Sequence, residues 1–322
     1  MFNHYLNCNF KIINLLDSIV SKLSCNLMIR KQKIDSIGAL ALIVFSATMG
    51  LNQVMIKIVN DGIQPVFQAG LRSILAFFIV YAYARYCRDK INIKDGSLVP
   101  GVIAGIFFGF EFILLFLALD YTSVGRASIM FYCMPVWITI AAHFLIPDEK
   151  ISIIRIIGLL SAFFGMAWAL SDNTNNNYAI MGDIMCIIGS VLWAGIVLLA
   201  RLSDLQKSTP EMQLIYQLAV STIILIPAAF LFGPFIRELE ILHLILFFIQ
   251  VVGVVSIGFV LWFWVLSIYP ASDMASFSFL APVFGVIFGW LILGEEISVT
   301  ITGSLLLVSL GIMLMNWKPR SR

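Results

Sequence analysis

In a chain dominated by apolar residues, a few polar side chains stand where only a chemical role or a specific hydrogen bond offsets the cost of burying them. Glu111 sits in the middle of the run FGFEFILLF. A charge at the centre of a bilayer costs about 2.5–3.5 kcal/mol on insertion scales, so such a residue turns towards a bundle interior. There a carboxylate can bind a cationic or amino group, or take up and release a proton as a solute moves. The purely structural alternative is a protonated acid bonded to a neighbouring helix. Gln68 and Arg72 lie one helical turn apart on one face, and Gln213 and Gln217 repeat that spacing later in the chain. All four are expected to form an interior polar stripe, touching solute or joining helices. Asn52 and Gln53 lie deep in an apolar run, with Asn52 the expected binding donor or else a helix-to-helix bond. Tyr132, Trp193 and Trp262 lie deeper than an interfacial aromatic belt and either stack on a planar or aliphatic solute or serve lipid contact and packing. The expected substrate-binding set is therefore Asn52, Glu111, Tyr132, Trp193 and Trp262. Lys57 is expected to snorkel to the membrane surface, with a gate role as the alternative, and His143 either relays a proton or packs through a hydrogen bond.

Other chemistries lack a starting point. The histidines (His4, His143, His243) are far apart and form no HExxH, and the five cysteines contain no CxxC. Neither a metal site nor a cofactor is expected. No catalytic residues are expected either, because no clustered Ser/His/Asp set or carboxylates beside a histidine appear, which argues against an enzyme. With 61% apolar and 12% charged residues, against roughly 45–50% and about 25% in soluble domains, the chain belongs in a bilayer. Nothing in it suggests a nucleic-acid surface. The expected partners are a small-molecule substrate and the lipid bilayer, with a homodimer as a possible assembly.

The elements that must position these residues are apolar runs of membrane-spanning length. Ten are expected: residues 37–59, 65–85, 98–120, 126–146, 151–171, 179–201, 211–232, 242–268, 274–293 and 297–317. Short turns join them, carrying Asp61-Gly62, Pro147-Asp148, Gly233-Pro234 and Gly294, and none is long enough for a soluble domain. The fold class is thus an all-α membrane protein of ten transmembrane helices. Gly101, Gly105 and Gly109 make a small-residue stripe on the third span, where another helix can approach closely. Glu111 lies about a third of a turn from that stripe, free to face a cavity.

The chain also repeats itself. GRASIMFYCMPVWITIAAHFLIPDE, from Gly125, follows the same plan as SDMASFSFLAPVFGVIFGWLILGE, from Ser272. Likewise the first span reads against the sixth, with Lys57 falling on Arg201, and PVFQAGLR against PEMQLIYQ. Two units of five spans result, covering 37–171 and 179–317. Since five is odd, the second unit enters the membrane from the other side as an inverted repeat. The charges agree. With a cytoplasmic amino terminus, sixteen Lys and Arg fall on the cytoplasmic side and only Arg126 and Arg237 on the other, so both termini are expected in the cytoplasm. Residues 1–36 form a cytoplasmic tail, either loosely ordered or amphipathic on the membrane surface. Met28 is an alternative translation start, and residues 318–322 are a basic carboxyl terminus.

These features carry a resemblance. The G-x-N-x-x-x-x-K of Gly50 to Lys57, the P-x-x-x-x-x-x-R of Pro65 to Arg72, and the MPVW and APVF segments, each before an acidic turn, resemble the EamA-type drug/metabolite transporter superfamily. The resemblance implies an inner-membrane secondary transporter of ten helices in two inverted five-helix repeats. Such a protein moves amino acids, related metabolites or drug-like compounds, often outward, by alternating access. Met49 stands where a tryptophan is frequent, and Gln217 replaces the possible arginine of the second half. A lipid-handling flippase, a membrane-embedded sensor and, less in keeping with the residues, a membrane enzyme are the rival readings.

Overall fold

A computed structural model describes residues 34–86, 93–146, 151–171, 178–258, 265, 269 and 277–316. Among these the backbone is helical, apart from turns and one isolated antiparallel bridge between Ile63 and Ile236. In order come α1 (Ser36–Gly62), α2 (Pro65–Tyr86), α3 (Leu98–Tyr121), α4 (Val124–Phe131), α5 (Met134–Leu145), α6 (Ile153–Leu170), α7 (Ala179–Leu202), α8 (Pro210–Ala229), α9 (Ile241–Ile249), α10 (Leu280–Leu293) and α11 (Val299–Asn316). Helix is the expected choice for spanning segments, because it satisfies every backbone group within the segment. Local sequence marks where the helices begin. Asp35, Ser123, Ser152 and Thr209 each accept a hydrogen bond from the backbone N–H three residues on, and Pro210 follows Thr209 at the first helical position.

Eight helices among the described residues are long and apolar enough to cross a membrane, counting α4 and α5 as one span. The other two expected ranges hold shorter apolar helices. Residues 242–268 are represented by α9 and its continuation, and 274–293 by α10, the remainder lying largely outside the described residues. Two departures from regular helix were not expected. The fourth span turns at Tyr132 and Cys133, just before Pro135, whose missing N–H and ring favour a kink or break in the preceding turn. Beyond Ile249 the chain widens into π-helix from Gln250 to Gly258.

Packing departs from the soluble pattern on its outer face, while the interior keeps an apolar core. Large apolar side chains such as Phe78, Phe164 and Leu291 lie on the outside, where lipid replaces water. Buried polar groups, including Gln53, Arg72, Glu111, Arg126 and Asp183, lie within. Helix α3 lies between α7 and α8, α6 lies along α11, and α1 lies against α10. The glycine stripe of α3 faces α8, as its spacing predicts. A Cβ on Gly105 would stand 2.8 Å from the Tyr216 carbonyl oxygen.

A close backbone crossing joins α1 to α10. A Cβ on Gly50 would lie 2.7 Å from the Gly285 nitrogen and 2.8 Å from the Phe284 carbonyl carbon, so backbone meets backbone with no side chain able to yield. Gly50→Leu is therefore expected to destabilise the protein by about 1–3 kcal/mol or more through overpacking. Thermal unfolding of the purified protein in detergent checks this; an unchanged midpoint would mean that the helices do not cross at Gly50.

Candidate functional site

Three sets of polar contacts occupy the bundle. The first lies at the end where α1 and α3 finish and α4 and α7 begin. Arg126 of α4 grips Asp183 of α7: its Nε donates to Asp183 Oδ2 at 3.0 Å, and one terminal nitrogen bonds the same oxygen. Thr122 Oγ1 donates to Asp183 Oδ1 at 2.7 Å. Both members of the ion pair are almost wholly buried. Close by, Glu295 accepts hydrogen bonds from the N–H groups of Val124 at 2.7 Å and Gly125 at 3.0 Å, capping the positive end of α4. Gly294, with a φ of 67°, makes the left-handed turn that ends α10 just before it. Lys57 Nζ donates to the Thr122 carbonyl at 2.5 Å and lies 3.9 Å from Glu295. Rather than snorkelling to the surface, Lys57 turns inward to these two acceptors. Arg237 pairs with Asp120 at 2.9 Å and donates to the Asn60 carbonyl at 2.9 Å. Each of these ion pairs joins a residue before 171 to one after 180.

The second set lies deeper, among α1, α4, α7 and α10. Ser128 Oγ donates to Gln53 Oε1 at 2.5 Å, and the Tyr132 hydroxyl donates to the Met49 carbonyl at 3.0 Å. Met49 and Asn52 are three apart on one helix and share a face. Trp193 stacks on Phe131 with ring centroids 5.2 Å apart and meets Tyr132 edge-on at 6.1 Å. Asn52 Oδ1 and Gln53 Nε2 are buried without a hydrogen-bond partner among the described residues. Buried polar atoms in native proteins are nearly always bonded, so each such atom calls for an explanation.

The third set joins α2, α3 and the start of the widened segment. Gln68 Nε2 donates to Gln250 Oε1 at 3.3 Å. The Arg72 guanidinium carbon lies 4.5 Å from the Phe112 ring centroid and 4.6 Å from that of Phe116. Glu111, buried on α3, is the residue before the Phe112 that Arg72 covers. At the far end of α3, outside the span, the Ser97 hydroxyl and amide hold the exposed Asp95 carboxyl below the usual carboxylate range.

The sequence-predicted residues thus fall into groups. Tyr132 and Trp193 come together, with Asn52 on the same face of α1 as the Tyr132 acceptor. Glu111 keeps company with Gln68 and Arg72 instead. The two groups are neighbours: a Cβ on Gly189, one turn before Trp193, would lie 3.4 Å from the Phe131 ring and 3.8 Å from the Glu111 carbonyl oxygen. Gln213 stands apart, donating to the Leu205 and Ser208 carbonyls at the turn between α7 and α8, and Gln217 is half-buried on α8. Trp262 lies outside the described residues. Gln53, Ser128, Asp183, Gln250 and Glu295 were not singled out as site residues. Gln53 and Gln250 had the same signal as Glu111, a polar residue inside an apolar run.

Known proteins match this arrangement. The EamA-like transporter family matches twice, at residues 36–171 and 180–317. The uncharacterized transporter YoaV of Bacillus subtilis (strain 168) is 24% identical over 280 residues, spanning 85% of this chain and 95% of its own. A probable amino-acid metabolite efflux pump of Escherichia coli (strain K12) is 25% identical, over 81% of this chain and 88% of that one. A solved structure sharing 15% identity superposes with a TM-score of 0.61 over 87% of this chain and 95% of the other, which speaks to the fold alone. With one domain type found in tandem across nearly all of its apolar helices, the chain belongs to the EamA-like transporter family and is a multi-pass membrane transporter, not an enzyme.

Proposed function

We propose that this protein is a secondary transporter, working outward, that moves a small metabolite, amino acid or drug-like compound across the inner membrane by alternating access. Its two five-span halves are inserted in opposite senses, and both termini face the cytoplasm. One observation carries the reading: buried polar groups with unused hydrogen-bonding capacity gather where helices of both halves meet. Gln53 from the first half lies by Gly285 on α10 of the second, with Asn52 next to it in α1, and Trp193 of the second half stacks on Phe131 of the first. A groove between repeats is where such transporters place their solute. The packing supports two related halves, because the first span of each lies against the fourth span of the other: α1 on α10, and α7 on α4 and α5. The residues facing the solute are Asn52, Glu111, Tyr132 and Trp193, with Gln68 and Arg72 alongside; Trp262 is proposed with them from the sequence alone.

Cells overproducing the protein are expected to gain resistance to a toxic amino acid, an analogue or an antibiotic, and a growth panel identifies which. Amino acids come first, given what the Escherichia coli relative is named for. Counterflow of the identified solute in proteoliposomes then tests transport directly. Counterflow of a water-soluble metabolite would favour this reading over a flippase or a sensor, and its absence for every solute of the panel would overturn it. Glu111→Gln separates two couplings. If Glu111 carries the proton, the variant loses the stimulation that a pH gradient gives the wild type, whereas unchanged transport at every pH removes Glu111 from the mechanism.

A further inference from the structure

Four side chains in the third polar set are each at most 3% exposed: Gln68, Arg72, Glu111 and Gln250. Each retains an atom without a hydrogen-bond partner among the described residues, namely Gln68 Oε1, Arg72 Nε, Glu111 Oε2 and Gln250 Nε2. With Glu111 ionised, that is two donors and two acceptors, with one positive and one negative charge among them. The two rings beside Arg72 can hold its charge, but they offer no lone pair for its N–H groups. Arg72 Nε and Glu111 Oε2 are not bonded to each other, although the Arg72 guanidinium lies over the ring of Phe112, the residue next to Glu111. Leaving opposite charges buried and unjoined is costly. The third wall of the set is the π-helix that opens at Gln250, a widened geometry frequently found at functional sites.

We propose that Arg72, Glu111, Gln68 and Gln250 form a two-ended clamp for the head group of a zwitterion, with Arg72 taking the carboxylate and Glu111 the ammonium. The proposal rests on the transporter reading for why a solute reaches this depth. A ligand with only an anion would satisfy Arg72 and leave Glu111 unmatched, and a ligand with only a cation would do the reverse. An α-amino acid head group carries both charges on adjacent carbons. Its carboxylate fits the planar fork of a guanidinium, and its ammonium supplies three donors to Glu111 Oε2 and Gln68 Oε1. The unpartnered Gln250 Nε2 is a second donor for the carboxylate. The side chain of the solute is not read by these four groups, so it is left to the surrounding apolar wall.

Thermal unfolding of the full-length protein in detergent, screened against the twenty standard L-amino acids, tests this. At least one amino acid is expected to raise the unfolding midpoint. For the strongest stabiliser, the amide, which lacks the anion, and the des-amino acid, which lacks the cation, should each bind about 30-fold or more weakly, as when one partner of a buried charge pair is removed. Arg72→Gln should abolish the preference for the amino acid over its amide, and Glu111→Gln the preference over the des-amino acid. The analogue series on the unaltered protein stands even if a variant fails to fold. No stabilisation by any amino acid, or equal stabilisation by the amide or the des-amino acid, would overturn the clamp and leave these groups to internal water or to each other. The transporter reading is judged separately: counterflow of some other solute would uphold it while the clamp falls.

Discussion

Asp183→Ala is expected to destabilise the protein by about 3–5 kcal/mol, because it removes the buried carboxylate that the Arg126 guanidinium grips. Arg126 and Asp183 are 2% and 0% exposed, so water cannot take over the role of the missing carboxylate. Thr122 loses its acceptor as well. Neutralising both partners, as in Arg126→Gln with Asp183→Asn, removes the charge imbalance, and the double variant should be clearly more stable than Asp183→Ala alone. Unfolding midpoints in detergent, compared across the set, provide the test. A loss below about 1 kcal/mol for Asp183→Ala, the range of exposed surface pairs, would mean that water reaches this ion pair.

Glu295→Ala should release the same end of the bundle. The carboxylate holds two backbone N–H groups of α4 and is an anionic neighbour of Lys57. Charge-assisted hydrogen bonds contribute about 1.5–3 kcal/mol each. If they favour the closed arrangement of this end, their loss raises the population of the open one. Cys133 and Cys186 are buried free thiols that can report it. After serine replaces Cys8, Cys25 and Cys87, labelling of the two buried thiols by a water-soluble maleimide should quicken about tenfold or more in Glu295→Ala, since about 1.4 kcal/mol is a factor of ten. Equal labelling rates in the two proteins would show that Glu295 supports α4 without holding this end shut.

Much of this architecture is legible in the sequence, because lipid demands unbroken apolar runs and punishes every exception. Glu111, Gln68 and Arg72 stood out as such exceptions, and all three are buried in one polar set. Asp183 did not. It is the fifth residue of α7, where a carboxylate reads as a charge at the edge of a loop. Arg126 reads the same way, as a cation on the outer side. Only the tertiary fold carries α4 and α7 past each other and buries both. Gln213 shows the opposite failure. Repeat spacing placed it beside Gln68 in kind, yet at its position the backbone carbonyls of Leu205 and Ser208 lie within reach and capture its amide. The π-helix from Gln250 has no periodic signature either, since it depends on what packs against it.

The central claim is that each half crosses the membrane five times, so that the halves face opposite ways. Single cysteines at Ile34, Tyr178 and Asn316, placed in an otherwise cysteine-free protein and labelled from one side of the membrane in intact cells or inverted vesicles, test it most directly. The account predicts that positions 34 and 316 react from the cytoplasmic face and position 178, at the junction of the halves, only from the other. Reaction of 34 and 316 from different faces, or of all three from the same face, would contradict it.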